Sequence, residues 1–222
     1  MLTSCFIIIY VIITFRGNYM ESKLYEVNEY KKIVEDLLNG EVVGFPTETV
    51  YGLAIIFDDK SSFDKLYEIK NRSITKPISM MVSNRNIIEQ VAYVNKIQQK
   101  VIDNLMPGAL TIILNAKENL PEHVTFNYPT VGVRIPTNED ALKILKEVNK
   151  PLLVTSANIS NEPSLIKYED VYKKFNGKIA SLIKQDAING IASSVVDLTT
   201  SPIKVLREGP VSLNDILKVI GE

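Results

Sequence analysis

Between Asn28 and Asn39 the apolar positions Tyr30, Ile33, Val34, Leu37 and Leu38 fall on one face at helical spacing, which predicts an amphipathic helix. Asn28 is placed to cap its start and Gly40 to end it. Glu41–Phe45 then reads as a strand and Leu53–Phe57 as a second apolar run. Helical patterns follow at Ser61–Lys70, where Phe63, Leu66, Tyr67 and Ile69 are apolar, and at Asn86–Val94 and Lys96–Leu105, with a strand at Ile78–Val82 between them. Further strands are expected at Leu110–Leu114, Val131–Ile135, Leu152–Thr155, Ser194–Leu198 and Ile203–Leu206. Helices are expected at Glu139–Val148, at Glu169–Phe175 and at Leu213–Ile220 behind the N-cap Ser212. Strands interleaved with helices predict an α/β fold with a single twisted, open, mixed sheet. No repeat, low-complexity tract or Pro/Gly-rich linker divides residues 20–222, so one domain is expected there.

Residues 1–19 follow a different pattern. Cys5–Phe15 is a continuous apolar run too short to span a bilayer, without the basic n-region and small-residue cleavage site of a secretory signal. Met20 stands just before an ordinary soluble sequence, so residues 1–19 read as an extension from a start placed upstream, with a short membrane-surface anchor as the alternative.

Composition narrows the chemistry. The 222 residues are 45% hydrophobic and 23% charged, with a net charge of −1, so no global basic field draws the molecule to nucleic acid or to an anionic membrane. A polyanion site has to be a local cluster. Cys5 is the only cysteine and His123 the only histidine, which excludes a disulfide framework and a Cys/His zinc site within one chain. His123, in the loop-like Asn119–His123, reads as an exposed loop residue, so imidazole catalysis is not expected.

Against that background Pro46-Thr47-Glu48-Thr49-Val50-Tyr51-Gly52-Leu53 stands out. A connection that only turned the chain would favour Asn-Gly or Asp-Gly. Hydroxyls, an acid and a phenol at the end of a buried strand suit a small polar ligand. Lys70, Arg72 and Lys76 form an acid-free cation cluster that ends at Pro77. Lys70 fits a helix C-terminus, whereas Arg72 and Lys76 lie beyond it and call for an anion such as a phosphate chain. Arg134 ends an expected strand, where ligands of α/β sheets bind. Thr155-Ser156-Ala157-Asn158-Ile159-Ser160 is a strand-end turn of small hydrogen-bonding residues, and Ser193-Ser194 opens another strand. Neither G-x-x-x-x-G-K-[ST] nor G-x-G-x-x-G occurs, so a nucleotide would be held by dispersed strand-end loops.

Taken together, Pro46–Leu53, Lys70-x-Arg72, Lys76-Pro77, Pro107-Gly108, Arg134-x-Pro136, Ser156-Ala157-Asn158-x-Ser160, Ser193–Asp197 and Arg207-Glu208-Gly209 resemble, in order, the YrdC/Sua5 family of L-threonylcarbamoyladenylate synthases. The resemblance runs from about Leu38 to Gly209. The sequence departs from the family pattern at Ala109, where a second proline is common, near Met81, where many members carry histidine, and at Ser194, where threonine is usual. The chain stops near the end of the fold, which favours the short, single-domain form over members with a further C-terminal domain.

The resemblance implies flanking helices and a twisted sheet around a concave, locally basic cavity. It implies a cytoplasmic nucleotidyltransferase that converts ATP, L-threonine and bicarbonate to threonylcarbamoyl-AMP and pyrophosphate, with Mg²⁺ on the phosphates. The adenylate then passes to a threonylcarbamoyl transferase complex that modifies the adenosine beside the tRNA anticodon. Carried over by motif position, Thr49, Tyr51, Arg134 and Ser193 are expected around threonine, and Arg72, Lys76, Thr130, Ser156, Asn158, Ser164 and Arg207 around ATP. Lys70, Arg72 and Arg134 are expected to carry the charge stabilisation, and no resident metal site is expected. Two alternatives are the carbamoyl-adenylate-forming domain of hydrogenase maturation and an RNA-binding or ribosome-assembly module; the net charge argues for at most weak nucleic-acid binding and nothing indicates a membrane partner.

Overall fold

The computed structural model describes residues 21–73 and 75–221. The apolar segment 1–19 lies outside the described residues, so its two readings stay as expectations.

Short connections alternate helices and strands along the chain. Lys23–Tyr25 (β1) leads through a 3-10 turn at Val27–Glu29 into Tyr30–Leu38 (α1). The turn is closed by reciprocal bonds between Glu26 and Glu29, so Asn28 is not the cap of α1. Gly40, at φ 76°, ends α1 as expected. Val43–Phe45 (β2) and Gly52–Ile56 (β3) pair antiparallel around the threonine-rich loop. Lys60–Ile69 (α2) begins at Asp59, whose carboxylate accepts from the N–H groups of Ser61 and Ser62. Met80–Met81 (β4), Arg85–Val91 (α3), Ala92–Tyr93 (β5) and Lys96–Leu105 (α4) follow. The helix expected over Asn86–Val94 therefore ends early, because Ala92 and Tyr93 pair with the next strand.

Leu110–Ala116 (β6), Glu122–Thr125 (α5), Thr130–Arg134 (β7), Glu139–Val148 (α6), Leu152–Ser156 (β8), Tyr168–Phe175 (α7) and Ser181–Ile183 (β9) come next. Ser194–Asp197 (β10), Lys204–Arg207 (β11) and Leu213–Ile220 (α8) complete the described chain, with Ser212 capping α8 as expected. One mixed sheet runs β1-β9-β2-β3-β8-β4-β7-β6-β10-β11, with β5 on the side of β6. The α/β class and the single mixed sheet are as the hydrophobic pattern predicts.

The two faces of the sheet are covered unequally. On one face Leu53, Ile55, Met80, Leu153, Ile112, Leu114, Val133 and Val196 pack with residues of α2, α3, α4, α7 and α8 in one continuous core. On the other, Val43, Phe45, Ala54, Ile56, Leu152 and Met81 pack beneath α1 and α6. Side chains alternate between faces along a strand, so the α1/α6 face continues through Arg134 of β7, which pairs with Met81. Beyond β4 that face carries Thr130, Gly132, Arg134, Thr111, Ile113, Ser193, Val195 and Asp197, and these line a cavity instead of a helix interface.

Candidate active site

The cavity measures about 470 Å³ and sits over the uncovered half of the sheet. Its floor follows from strand register: Ile113 pairs with both Gly132 and Asp197, Thr111 with Val195, and Val195 with Arg207. At Gly132 a Cβ would lie 2.8 Å from Ser79 Oγ and 3.1 Å from Ile113 Cδ1, so a side chain there would have to displace both.

Arg134 stands at one end. It is 7% exposed, and its Nη2 donates to Glu48 Oε1 at 2.6 Å, Nη1 to Thr49 Oγ1 at 3.0 Å and Nε to the Gly108 carbonyl at 3.2 Å. Each terminal nitrogen keeps one N–H for a ligand. Thr49 is fixed in turn, since its N–H donates to Thr47 Oγ1 and the two hydroxyls share a bond of 2.8 Å. The threonines of the opening loop thus build the wall that holds the arginine. Pro107-Gly108 supplies the carbonyl behind it.

Arg207 approaches from β11. Its Nε donates to the Ser193 carbonyl at 2.9 Å and its Nη2 to Ser193 Oγ at 3.1 Å, while Ser193 Oγ also bonds Thr111 Oγ1 at 2.9 Å. Gly209 lets the chain turn against this strand: a Cβ there would lie 2.4 Å from the Ser194 nitrogen. Ser194 Oγ accepts from the Val211 N–H and donates to the Val211 carbonyl, which ties the turn to β10. Burial, and then the neighbouring Arg134, lower the pKa of Arg207 from its ordinary value. Arg134 is paired with Glu48 behind the cavity wall, and the lining carries Arg134 and Arg207 with Asp197 as its acid on this part of the sheet.

The other end is formed by Thr130, Pro77, Ser156 and Arg72. Arg72 donates to the Lys76 and Pro77 carbonyls, both at 2.9 Å, and its guanidinium lies 5.9 Å from the Tyr67 ring centroid. Of the site residues expected from the sequence, Thr49, Tyr51, Arg72, Thr130, Arg134, Ser156, Ser193 and Arg207 border this one cavity. Tyr51 is fully buried and its hydroxyl donates to the Ile183 carbonyl, so the phenol ties the loop just before β3 to β9; burial pushes its pKa well above the usual range.

Lys70, Lys76, Asn158 and Ser164 are not among the lining residues. Lys70 is 1% exposed, and its ammonium donates to the Ser156 carbonyl at 2.5 Å, the Asn158 carbonyl at 2.7 Å and Asn158 Oδ1 at 2.9 Å. Its own carbonyl accepts from the Ser160 N–H, and Asn158 Nδ2 donates to the Glu162 carbonyl at 2.6 Å. Lysine and asparagine together shape the turn that presents Ser156. Burial, with a smaller contribution from Arg72, pulls Lys70 down to about 7, against the three acceptors that favour its ammonium form. Lys76 reaches Asn161 Oδ1 at 3.3 Å on the exposed side.

His123 departs from its expected loop position. It lies in α5, half-buried, with Nε2 3.0 Å from the Phe57 carbonyl and its ring edge-on to Phe63 at 5.1 Å. His123 is not among the residues that line the cavity, although its neighbour Val124 is. Glu48 shares the loop with Thr49, and its Oε2 is buried without a hydrogen-bond partner among the described residues. The acid beside Thr49 is its only signal in sequence, because the arginine it meets is 86 residues away.

Residues 35–209 match the family model for Sua5, YciO and YrdC proteins, described as telomere recombination. The chain is 36% identical to the threonylcarbamoyl-AMP synthase of Pyrococcus abyssi over 82% of its own length and 54% of that relative. It is 34% identical to a Methanocaldococcus jannaschii relative, covering 88% of this chain and 96% of the other. The crystal structure of Pyrococcus abyssi Sua5 complexed with L-threonine matches with a TM-score of 0.84 at 33% identity, over 90% of this chain and 60% of that one. The chain thus spans about half the length of the curated Pyrococcus relative and nearly all of the Methanocaldococcus one.

Proposed function

The chain belongs to the Sua5/YciO/YrdC family, and from that premise we propose that it synthesises L-threonylcarbamoyladenylate. The observation that carries this reading is the pairing of two anion-seeking ends in one cavity: Arg134 and Arg207 with the hydroxyls of Thr49 and Ser193, and Arg72 with Ser156 and Thr130. The similar Pyrococcus protein is seen with L-threonine. In this reading Arg134, Thr49 and Ser193 hold the amino acid carboxylate and the carbamate formed from its amine and bicarbonate, with loss of water. The second set, with Arg207, holds the triphosphate.

A carbamate oxygen then attacks the α-phosphorus, the bond to the β-phosphate oxygen breaks, and pyrophosphate leaves. Holding two anions together and neutralising the charge on the leaving group are tasks for fixed cations and hydroxyls, not for a nucleophilic side chain. Lys70 and Asn158 act through the Ser156 turn they shape, while Lys76 and Ser164, outside the cavity lining, are left to meet the ATP phosphates from its rim. Mg²⁺ enters on the ATP phosphates. Among the described residues no group of three or more His, Cys, Asp or Glu gathers that could supply a resident ion's ligands. The product is a mixed anhydride that passes to a threonylcarbamoyl transferase in the cytoplasm. No helix among the described residues is long and apolar enough to cross a membrane.

The test is mass spectrometry of the products with each substrate withheld in turn. Pyrophosphate release is expected to need both L-threonine and bicarbonate, and the adenylate to carry the threonine skeleton. Release of ADP and phosphate, or pyrophosphate release indifferent to threonine, would falsify the reading.

A further inference from the structure

The turn between α5 and β7 is built in a conformation its sequence does not favour. Phe126 and Asn127 both hold left-handed backbone, at φ 53° and 62°. Asparagine tolerates this region, but phenylalanine has no such ease. The turn is nevertheless well anchored. The Phe126 ring packs 5.6 Å from Phe63 and 5.8 Å from Tyr67 between centroids, and Asn127 Nδ2 donates to Glu122 Oε1 at 3.1 Å. The Tyr128 N–H closes the turn on the Thr125 carbonyl at 2.9 Å.

What this mount presents is Tyr128. Its side chain borders the cavity while the residue remains 51% exposed, and its hydroxyl has no hydrogen-bond partner among the described residues. An aromatic ring left half in water adds little to the core. Strained backbone held in place beside a cavity points instead to a ligand. Tyr128 lies two residues before Thr130, at the end of the cavity that also holds Arg72. An aromatic face and a guanidinium thus stand together at this end of the cavity.

We infer that the Tyr128 ring is the stacking platform for the nucleobase of the ATP substrate. This rests on the proposed nucleotide chemistry and extends it from the phosphates to the base. Stacking uses the π-face that every base offers, so the platform contributes affinity while hydrogen bonds elsewhere choose the base. The ring's edge needs no polar partner for this, in keeping with the unpaired hydroxyl.

The experiment is calorimetric titration of the full chain with ATP and, separately, with inorganic tripolyphosphate, both with Mg²⁺. Tyr128→Ala is expected to weaken ATP binding about 5- to 150-fold, the range for one base–aromatic stack. Tripolyphosphate, which has no base, is expected to bind wild type and variant alike. Tyr128→Phe and Tyr128→Trp keep a ring and are expected to retain ATP affinity to within about three-fold. Equal ATP affinity in Tyr128→Ala and wild type overturns the platform and leaves the synthase reading standing. Equal loss of ATP and tripolyphosphate also overturns it, since the residue would then shape the cavity and not meet a base. Wild type that binds tripolyphosphate but not ATP takes down both readings.

Discussion

Lys70 and Arg134 are both buried cations in motifs of the same sequence pattern, yet they occupy opposite sides of the cavity wall. Lys70 directs its three donors at one turn of its own chain, Ser156 to Asn158. Arg134 touches Glu48, Thr49 and Gly108 and still keeps an N–H on each terminal nitrogen. The difference is one of shape as much as of position. An ammonium is a point donor that a ring of carbonyls can enclose, whereas a guanidinium is a planar fork with more donors than one wall can satisfy. A buried charge is free to bind a ligand only if its geometry leaves donors over after the fold has been satisfied.

The largest effect is expected from removing Arg134. Arg134→Ala leaves the Glu48 carboxylate buried and unpaired, and is expected to destabilise the fold by about 3–5 kcal/mol. Glu48→Ala in the same chain should recover part of that loss in urea titrations, and unchanged stability of the single variant would show that the pair is not buried in solution. Arg72→Ala should do the opposite. Arg72 bonds two carbonyls of an exposed loop, so the melting temperature is expected to hold while ATP binding weakens by roughly 2–4 kcal/mol. A large drop in melting temperature with unchanged ATP affinity would move Arg72 to the structural side with Lys70.

The pH dependence sharpens the Lys70 side. Its folded pKa, about 7, lies below the value of 10.5 for a free lysine. Between those values the unfolded chain binds more protons than the folded one, so stability rises with pH across that window. The slope from this group approaches ~1.4 kcal/mol per pH unit. Lys70→Met is expected to lose that component when denaturant midpoints are compared from pH 6 to pH 10. Identical slopes would mean that the three acceptors hold the ammonium near its ordinary pKa. The smallest effect belongs to Tyr51→Phe, which removes only the hydroxyl bonded to Ile183. It should cost about 1 kcal/mol of stability and leave threonine affinity unaltered; a fall in that affinity would put the phenol in the pocket.

Long periodic segments were readable because their partners hardly matter. The helices at 96–105, 139–148 and 213–220 appear with the bounds their spacing predicts. β1 and β9 were missed, because three residues hold too little alternation to signal a strand. Ser181 further disguises β9, being a fully buried polar residue satisfied by Asp36 of α1 at 2.6 Å. In the site, the residue types were legible but their orientation was not. Tyr51 and Thr49 stand in the same loop, yet only the threonine hydroxyl turns toward Arg134, and that depends on β7 lying across the sheet. The same limit explains Lys70, whose acceptors lie 86 and 88 residues away.

Because no phosphate loop gathers the ligands in one place, Thr49, Arg72, Arg134, Ser156, Ser193 and Arg207 come together only when the whole sheet has closed. Such long-range pairings form late and slowly in folding. A partly folded chain therefore has no site to fill, and ligand binding selects the complete fold against every partial one. At a free ligand concentration about 100 times Kd this adds about 2.7 kcal/mol of stability, distributed over β3, β7, β8, β10 and β11 alike. Substrate supply thereby becomes a determinant of how long the folded chain persists.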